Sequence, residues 1–154
     1  MIQRKQTLFL IISAVLTGLT LLFPFAEFLS NHGTISIHAF EIHDNDTQLL
    51  EEPVPVLTMG ITIIIISLIS LTTIFLYTKR LLQIRLVRYT IILKVAIIAV
   101  LIYFAYILQQ SQVDLTIVPG NSTLCIVLAF VFDILAIYGI KQDEKLVKSV
   151  DRIR

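Results

Sequence analysis

Four runs of the chain are almost wholly apolar, at about residues 7–25, 54–77, 89–108 and 123–140, and the polar residues are collected between them. At a rise of 1.5 Å per residue, runs of 18 to 24 residues make helices of about 27–36 Å, the thickness of a bilayer's hydrocarbon core. The pattern therefore predicts an all-α membrane protein, a single domain over residues 1–154 built as a bundle of four transmembrane helices. Two stretches, residues 26–53 and 109–122, lie on one side, and residues 78–88 and a tail at 141–154 on the other.

Local signals refine this picture. Thr34, Ile35, Ser36 and Ile37 alternate, with the two isoleucines on one face, so residues 34–42 read as a strand. Asn31-His32-Gly33 before it and HDND after it are turn signals. Residues 113–118, VDLTIV, offer a strand partner from the other loop, which predicts a small β-element capping the helices. Pro53 and Pro55 suit the first turn of a helix, and Pro119-Gly120 suits a type II turn. In the first run Ser13, Ala14, Thr17 and Gly18 form two small-xxx-small pairs that permit close helix approach. Gly60, Ser67 and Ser70 share a face of the second helix. Leu146, Val150 and Ile153 recur at helical spacing, with Glu144 and Lys148 as an i,i+4 pair, so the tail is an amphipathic helix. It either continues the fourth span or lies on the membrane surface.

Charge fixes the orientation. The formal net charge is only +1, yet the charges are segregated. Glu27, Glu41, Asp44, Asp46, Glu51, Glu52 and Asp114 occupy the two longer-loop stretches, which contain no Lys or Arg. Arg4, Lys5, Lys79, Arg80, Arg85, Arg88, Lys141, Lys145, Lys148, Arg152 and Arg154 occupy the others. Lys and Arg are retained on the cytoplasmic side, so both termini and the basic hairpin are expected inside. The run at 7–25 is long and lacks an Ala-x-Ala-like exit, so it reads as an uncleaved anchor. With 56% hydrophobic and 15% charged residues, the composition is that of a membrane protein, and nothing in it points to nucleic acid.

Two stretches carry a resemblance. The hairpin IFLYTKRLLQIRL, residues 74–86, is similar to the "IFLFKNR-LQIRL" pattern of an uncharacterised Bacteroidota membrane-protein family. The tail DEKLVKSVDRIR, residues 143–154, resembles that family's "DE-LVRS-DRIR" ending, and MIQRKQTLFL resembles its start. Tyr77-Thr78 and Lys148 depart from the pattern while keeping size or charge. The resemblance runs along essentially the whole chain. It implies four helices in the same order and a bacterial inner-membrane location, and it supplies no activity, ligand or cofactor.

Lys94 and Asp133 stand out chemically, because a charge near the middle of a span costs about 2.5–3.5 kcal/mol on insertion scales. Counted inward from Arg88 and Lys141, they lie at similar depths on two antiparallel helices joined by a short loop. Asp133 shares a helical face with Ala129 and Ala136, which favours close approach of a neighbour. The first reading is a structural ion pair with Lys94 partly snorkelling inward. The second is a proton or ion relay in a small transporter or channel, against which no span is interrupted near its middle by Pro or Gly.

Other candidates are weaker. His32, His38 and His43 lie near Glu41, Asp44 and Asp46, but their spacing matches no metal motif, and solvated loop histidines are expected. The inner basic residues read as a topology signal and anionic-lipid contact, or as a dock for an acidic partner. The single cysteine, Cys125, reads as a packing residue. No nucleophile, metal or phosphate-binding motif is present, and Ser13, Ser67 and Ser70 are expected to have no base at their depth. The expectation is a non-enzymatic inner-membrane protein without cofactor, acting as an accessory or scaffold subunit beside a membrane-protein partner.

Overall fold

The computed structural model describes residues 5–30, 33–44, 56–76, 79–111 and 116–151. Four helices, α1 (Lys5–Leu19), α2 (Val56–Phe75), α3 (Arg80–Ser111) and α4 (Asn121–Asp151), carry a four-stranded sheet at one end. Its strands are β1 (Ala26–Ser30), β2 (Gly33–Ile37), β3 (Ile42–Asp44) and β4 (Thr116–Pro119), in the order β3-β2-β1-β4. Helices α2, α3 and α4 are each long and apolar enough to cross a membrane, whereas α1, at 15 residues or about 22 Å, is shorter.

One repeat governs the packing. The buried positions are Gln6, Leu10, Ser13, Thr17 and Thr20 on α1 and just beyond it, and Met59, Ile63, Ile66, Ser70 and Thr73 on α2. On α3 they are Gln83, Val87, Thr90, Lys94 and Ile97, and on α4 Ser122, Ile126, Ala129, Asp133, Ala136 and Ile140. Ala14, Gly60 and Ile84 are buried beside these series, and each series itself steps by four and three in alternation, the 3.5-residue period of left-handed helix packing. Principal contacts run α1–α2, α2–α3, α3–α4 and α4–α1, so α1 and α3 face each other across the bundle axis. Large apolar side chains such as Leu57, Leu68, Phe75, Ile92 and Leu124 point outward and are exposed. The rim is thus apolar while much of the axis is polar, the inverse of a soluble bundle.

The contacts define layers. Leu10, Val87 and Ala136 share one apolar cluster, with Ile74 packed against it. One turn toward the sheet, Ser13, Thr90 and Asp133 are joined by hydrogen bonds. Gly18 lies close to Ser67, so Ser70, one turn farther from the sheet, lies near the layer of Ser13. Nearest the sheet, Ile63, Ile66, Ile97 and Ile126 surround Phe25 and Met59. The small residues at 14 and 18 and the serines of α2 therefore lie where α1 approaches its neighbours.

Several elements differ from the expected ones. The first helix stops at Leu19 rather than residue 25. Its end tightens into i→i+3 bonds, Leu21 N–H to Gly18 at 3.1 Å and Leu22 N–H to Leu19 at 3.0 Å. Pro24 then has no N–H to continue the helix and biases Phe23 away from it. The chain turns into β1, a strand the pattern did not predict. β1 pairs with both β2 and β4, so β4 meets β1 rather than residues 34–42. The strand expected over 34–42 breaks at His38, whose N–H donates to the Glu41 carbonyl at 2.9 Å, and resumes as β3. The alternation itself holds: Phe28, Ile35 and Ile37 are buried together over Ala105 of α3.

Pro119-Gly120 does not form the type II turn. Pro119 ends β4, and Gly120 has negative φ, whereas that turn needs a positive φ at its second central residue. The Gly120 N–H instead donates to Phe25 at 2.8 Å and the Ser122 N–H to Pro24 at 3.1 Å. The Ser122 and Thr123 hydroxyls donate to the Phe23 and Phe25 carbonyls, each at 2.6 Å. The start of α4 is thereby docked on the turn that ends α1.

The basic segment expected as a loop over 78–88 is helical from Arg80, because RLLQIRLVR contains good helix formers and no Gly or Pro. Helix α4 likewise runs unbroken to Asp151, so the tail continues the fourth helix. Pro53, Pro55, Tyr77 and Thr78, the turn residues Asn31 and His32, and residues 112–115 lie outside the described residues.

Candidate functional site

The polar centre of the bundle is built by three helices from positions of the same repeat. Ser13 of α1, Thr90 and Lys94 of α3, and Asp133 of α4 are all buried to 1% exposure or less. Lys94 Nζ donates to Asp133 Oδ2 at 2.7 Å and to Ser13 Oγ at 2.9 Å. Ser13 Oγ in turn donates to the other carboxylate oxygen, Asp133 Oδ1. Thr90 Oγ1 lies 3.1 Å from Asp133 Oδ2 and 2.8 Å from the Val87 carbonyl, and shares its proton between them. Both oxygens of Asp133 are therefore engaged, and the ammonium of Lys94 reaches across the axis to the opposite helix.

Ala129 and Ala136, one turn to either side of Asp133, are fully buried and keep α4 close to its neighbours. Lys94 is 0% exposed, so it does not snorkel. Its stem runs along the core and its charge is met internally. Reading the sequence by charge located Lys94 and Asp133 but missed Ser13 and Thr90. Hydroxyls are common on apolar helices and usually bond back to their own helix, as Thr17 does to Ser13 O at 2.7 Å. The signal that finds them is the four–three repeat, which places Ser13 and Thr90 in the Asp133 layer.

Ser13 does have a base at its depth, contrary to expectation: its hydroxyl donates to the Asp133 carboxylate, with Lys94 Nζ 2.9 Å away on its other side. A serine–lysine pair can make a nucleophile only if a neutral amine removes the hydroxyl proton. Here the direction is reversed: the lysine donates to Ser13, and Ser13 donates to Asp133. All four side chains of the centre are buried. Its chemistry is that of a charge-assisted clamp across three helices.

The remaining candidates separate by end. Lys79, Arg85, Arg88, Lys141 and Lys145 are exposed at the end of the bundle opposite the sheet. Arg80 is half-buried there, its Nη1 donating to the Asp143 carbonyl at 3.3 Å, which ties the start of α3 to α4. Arg152 and Arg154 lie outside the described residues, and so does the Lys148 side chain. On the sheet, the rings of His38 and His43 are 5.5 Å apart, and His43 Nδ1 lies 3.8 Å from Glu41 Oε1. His32 is outside the described residues, and among the described ones no three His, Cys, Asp or Glu side chains are grouped to hold a metal ion. Cys125 is half-buried and unpaired by disulfide.

No curated protein and no solved structure matches the chain. A family model does, over residues 2–153, and by that match the chain belongs to the family described as Domain of unknown function (DUF4293).

Proposed function

We propose that this protein is a non-enzymatic scaffold of a bacterial inner membrane, an accessory subunit held in one shape by its own polar core. The observation that carries this reading is the closed state of the Ser13–Thr90–Lys94–Asp133 cluster, in which both carboxylate oxygens are engaged and every member is buried. A relay group must exchange its partner for a passing ion or proton. A group with its bonds filled from three helices favours rigidity instead. The small sheet and the basic end offer surface for a partner but no chemistry of their own. β4 is an exposed edge strand along all four residues, and such edges are open to further pairing. Crosslinking in membranes followed by purification in mild detergent is expected to recover a stoichiometric partner protein. A chain that stays monomeric and alone under those conditions refutes the scaffold role.

In this reading all four helices cross the bilayer, with residues 20–25 completing the crossing begun by the short α1. The basic end faces the cytoplasm, where each Lys or Arg near anionic headgroups contributes about 1 kcal/mol. The motif resemblance supports a source among the Bacteroidota. A reporter active only outside the cytoplasm is expected to be silent when fused after Arg154 and active when inserted near Asn45. The opposite pattern inverts the orientation and overturns the assignment.

A further inference from the structure

The buried polar groups of this bundle are not satisfied evenly along its axis. Toward the sheet they are bonded: Thr17 Oγ1 to Ser13 O at 2.7 Å, Thr20 Oγ1 to Thr17 O at 2.6 Å, and Ser122 Oγ to Thr20 O at 3.0 Å. Away from the sheet, four buried side-chain atoms have no hydrogen-bond partner among the described residues: Gln6 Oε1 and Nε2, Gln83 Oε1 and Ser70 Oγ. All three residues are at most 3% exposed. Gln83 spends only its Nε2, on the Thr73 carbonyl at 3.2 Å.

These residues fall in order along the axis. Gln6 and Gln83 each stand one turn outside the Leu10–Val87–Ala136 cluster, toward the basic end, on helices that oppose each other across the bundle. Gly139 faces Gln6: a Cβ there would come within 3.3 Å of Gln6 Cβ. Beyond the cluster, Ser70 lies near the layer of Ser13 and Asp133. The cluster between them is Leu10, Val87 and Ala136, with Phe9, Ile74, Ile91 and Ile137 packed against it. An amide left unbonded in an apolar interior is destabilising, and internal water bound by two to four polar groups removes that cost.

We propose that the half of the bundle between the basic end and the Lys94–Asp133 pair is a water-binding vestibule, lined by Gln6, Gln83 and Ser70 and closed toward the sheet. Its ligand is water, reaching the charged pair from the basic end alone. The vestibule is independent of the scaffold reading, because a wet bundle and a dry one can each hold a partner.

Cysteine accessibility in membranes tests it. In full-length protein carrying Cys125→Ser, single Gln6→Cys, Gln83→Cys and Ser70→Cys variants are treated with a small membrane-impermeant methanethiosulfonate bearing a sulfonate. Vesicles of both orientations are compared, with Thr17→Cys and Thr20→Cys as references. The thiolate, which forms only in contact with water, attacks the reagent's sulfenyl sulfur to form a mixed disulfide and expel methanesulfinate, so the vestibule positions are expected to react at least about tenfold faster than the references, from the basic-end side only. Equal, slow reaction at all five positions overturns the vestibule, and so does faster reaction from the sheet side. If a cysteine variant does not assemble, Gln83→Glu decides. In a hydrated layer the carboxylate ionises and the thermal midpoint at neutral pH stays near that of the parent. A midpoint lowered at neutral pH and restored by acid shows a dry layer and overturns the inference.

Discussion

Asp133→Ala is expected to destabilise the folded protein by about 3–5 kcal/mol, the usual cost of leaving a buried charge without its counter-ion. The variant strands Lys94 in the core with Ser13 Oγ as its only remaining partner of the cluster, and that hydroxyl simultaneously loses its acceptor. Lys94→Ala is expected to cost less, for a reason that lies in the bonding rather than in exposure. The carboxylate it leaves behind still accepts from Ser13 and Thr90, and a carboxylate with two donors is better satisfied than an ammonium with one acceptor. The double change Lys94→Met with Asp133→Leu removes both charges and keeps the volume. It is expected to lie closer to the parent than either single truncation, and a double-mutant cycle closed with single Lys94→Met and Asp133→Leu is expected to give a coupling energy of roughly 2 kcal/mol or more. Reversible unfolding in mixed detergent micelles measures every variant. A double variant less stable than Asp133→Ala would show that the pair is not a self-contained clamp.

Gly120→Ala has the second-largest expected effect. A Cβ at this position would stand 2.2 Å from the Pro24 carbonyl oxygen and 2.8 Å from its carbon, both backbone atoms that cannot swing aside. The start of α4 would have to withdraw from the turn at 23–25, which puts at risk the bonds from Gly120 N–H, Ser122 N–H and the two hydroxyls that hold it there. Overpacking alone costs about 1–3 kcal/mol and each lost hydrogen bond about 1 kcal/mol, so a loss near 3 kcal/mol is expected. The same substitution also loosens β4, whose Pro119 pairs with Ala26 immediately before. The check is the same unfolding measurement, with faster amide exchange at Phe28 and Ile117 as the local signature. An unchanged midpoint would mean that the docking of α4 on the first turn is dispensable.

The helices were legible because an apolar rim needs no knowledge of partners: Leu57, Ile92 and Leu124 declare their segments whatever they pack against. The charged pair was legible for the same reason, since Lys94 and Asp133 contradict their surroundings. What escaped the sequence was set by tertiary contact. AEFLS has no alternation strong enough to announce β1, which exists because β2 and β4 flank it on both sides. The end of α1 at Leu19 was hidden because Leu21, Leu22 and Phe23 prolong the apolar run past the last helical turn. The basic hairpin misleads in the opposite way: its charges mark a boundary of polarity, while the helix begins inside it at Arg80. Ser13 and Thr90 were concealed by their ordinariness, although the four–three spacing to Asp133's layer was present in the residues themselves.

The clamp also has a consequence in time. Its members leave the ribosome in the order Ser13, Lys94, Asp133, and 39 positions separate the lysine from its carboxylate. At translation rates of about 5–20 residues per second, Lys94 exists for some 2–8 s before Asp133 has been made. In the membrane arrangement proposed above, with insertion during synthesis, α3 enters the bilayer before Lys94 has its counter-ion, with Ser13 of the first helix as the only clamp residue from another helix yet available to it. Its apolar run from Tyr89 to Leu108 carries the insertion through that interval, and the arrival of α4 then locks all three helices in a single step.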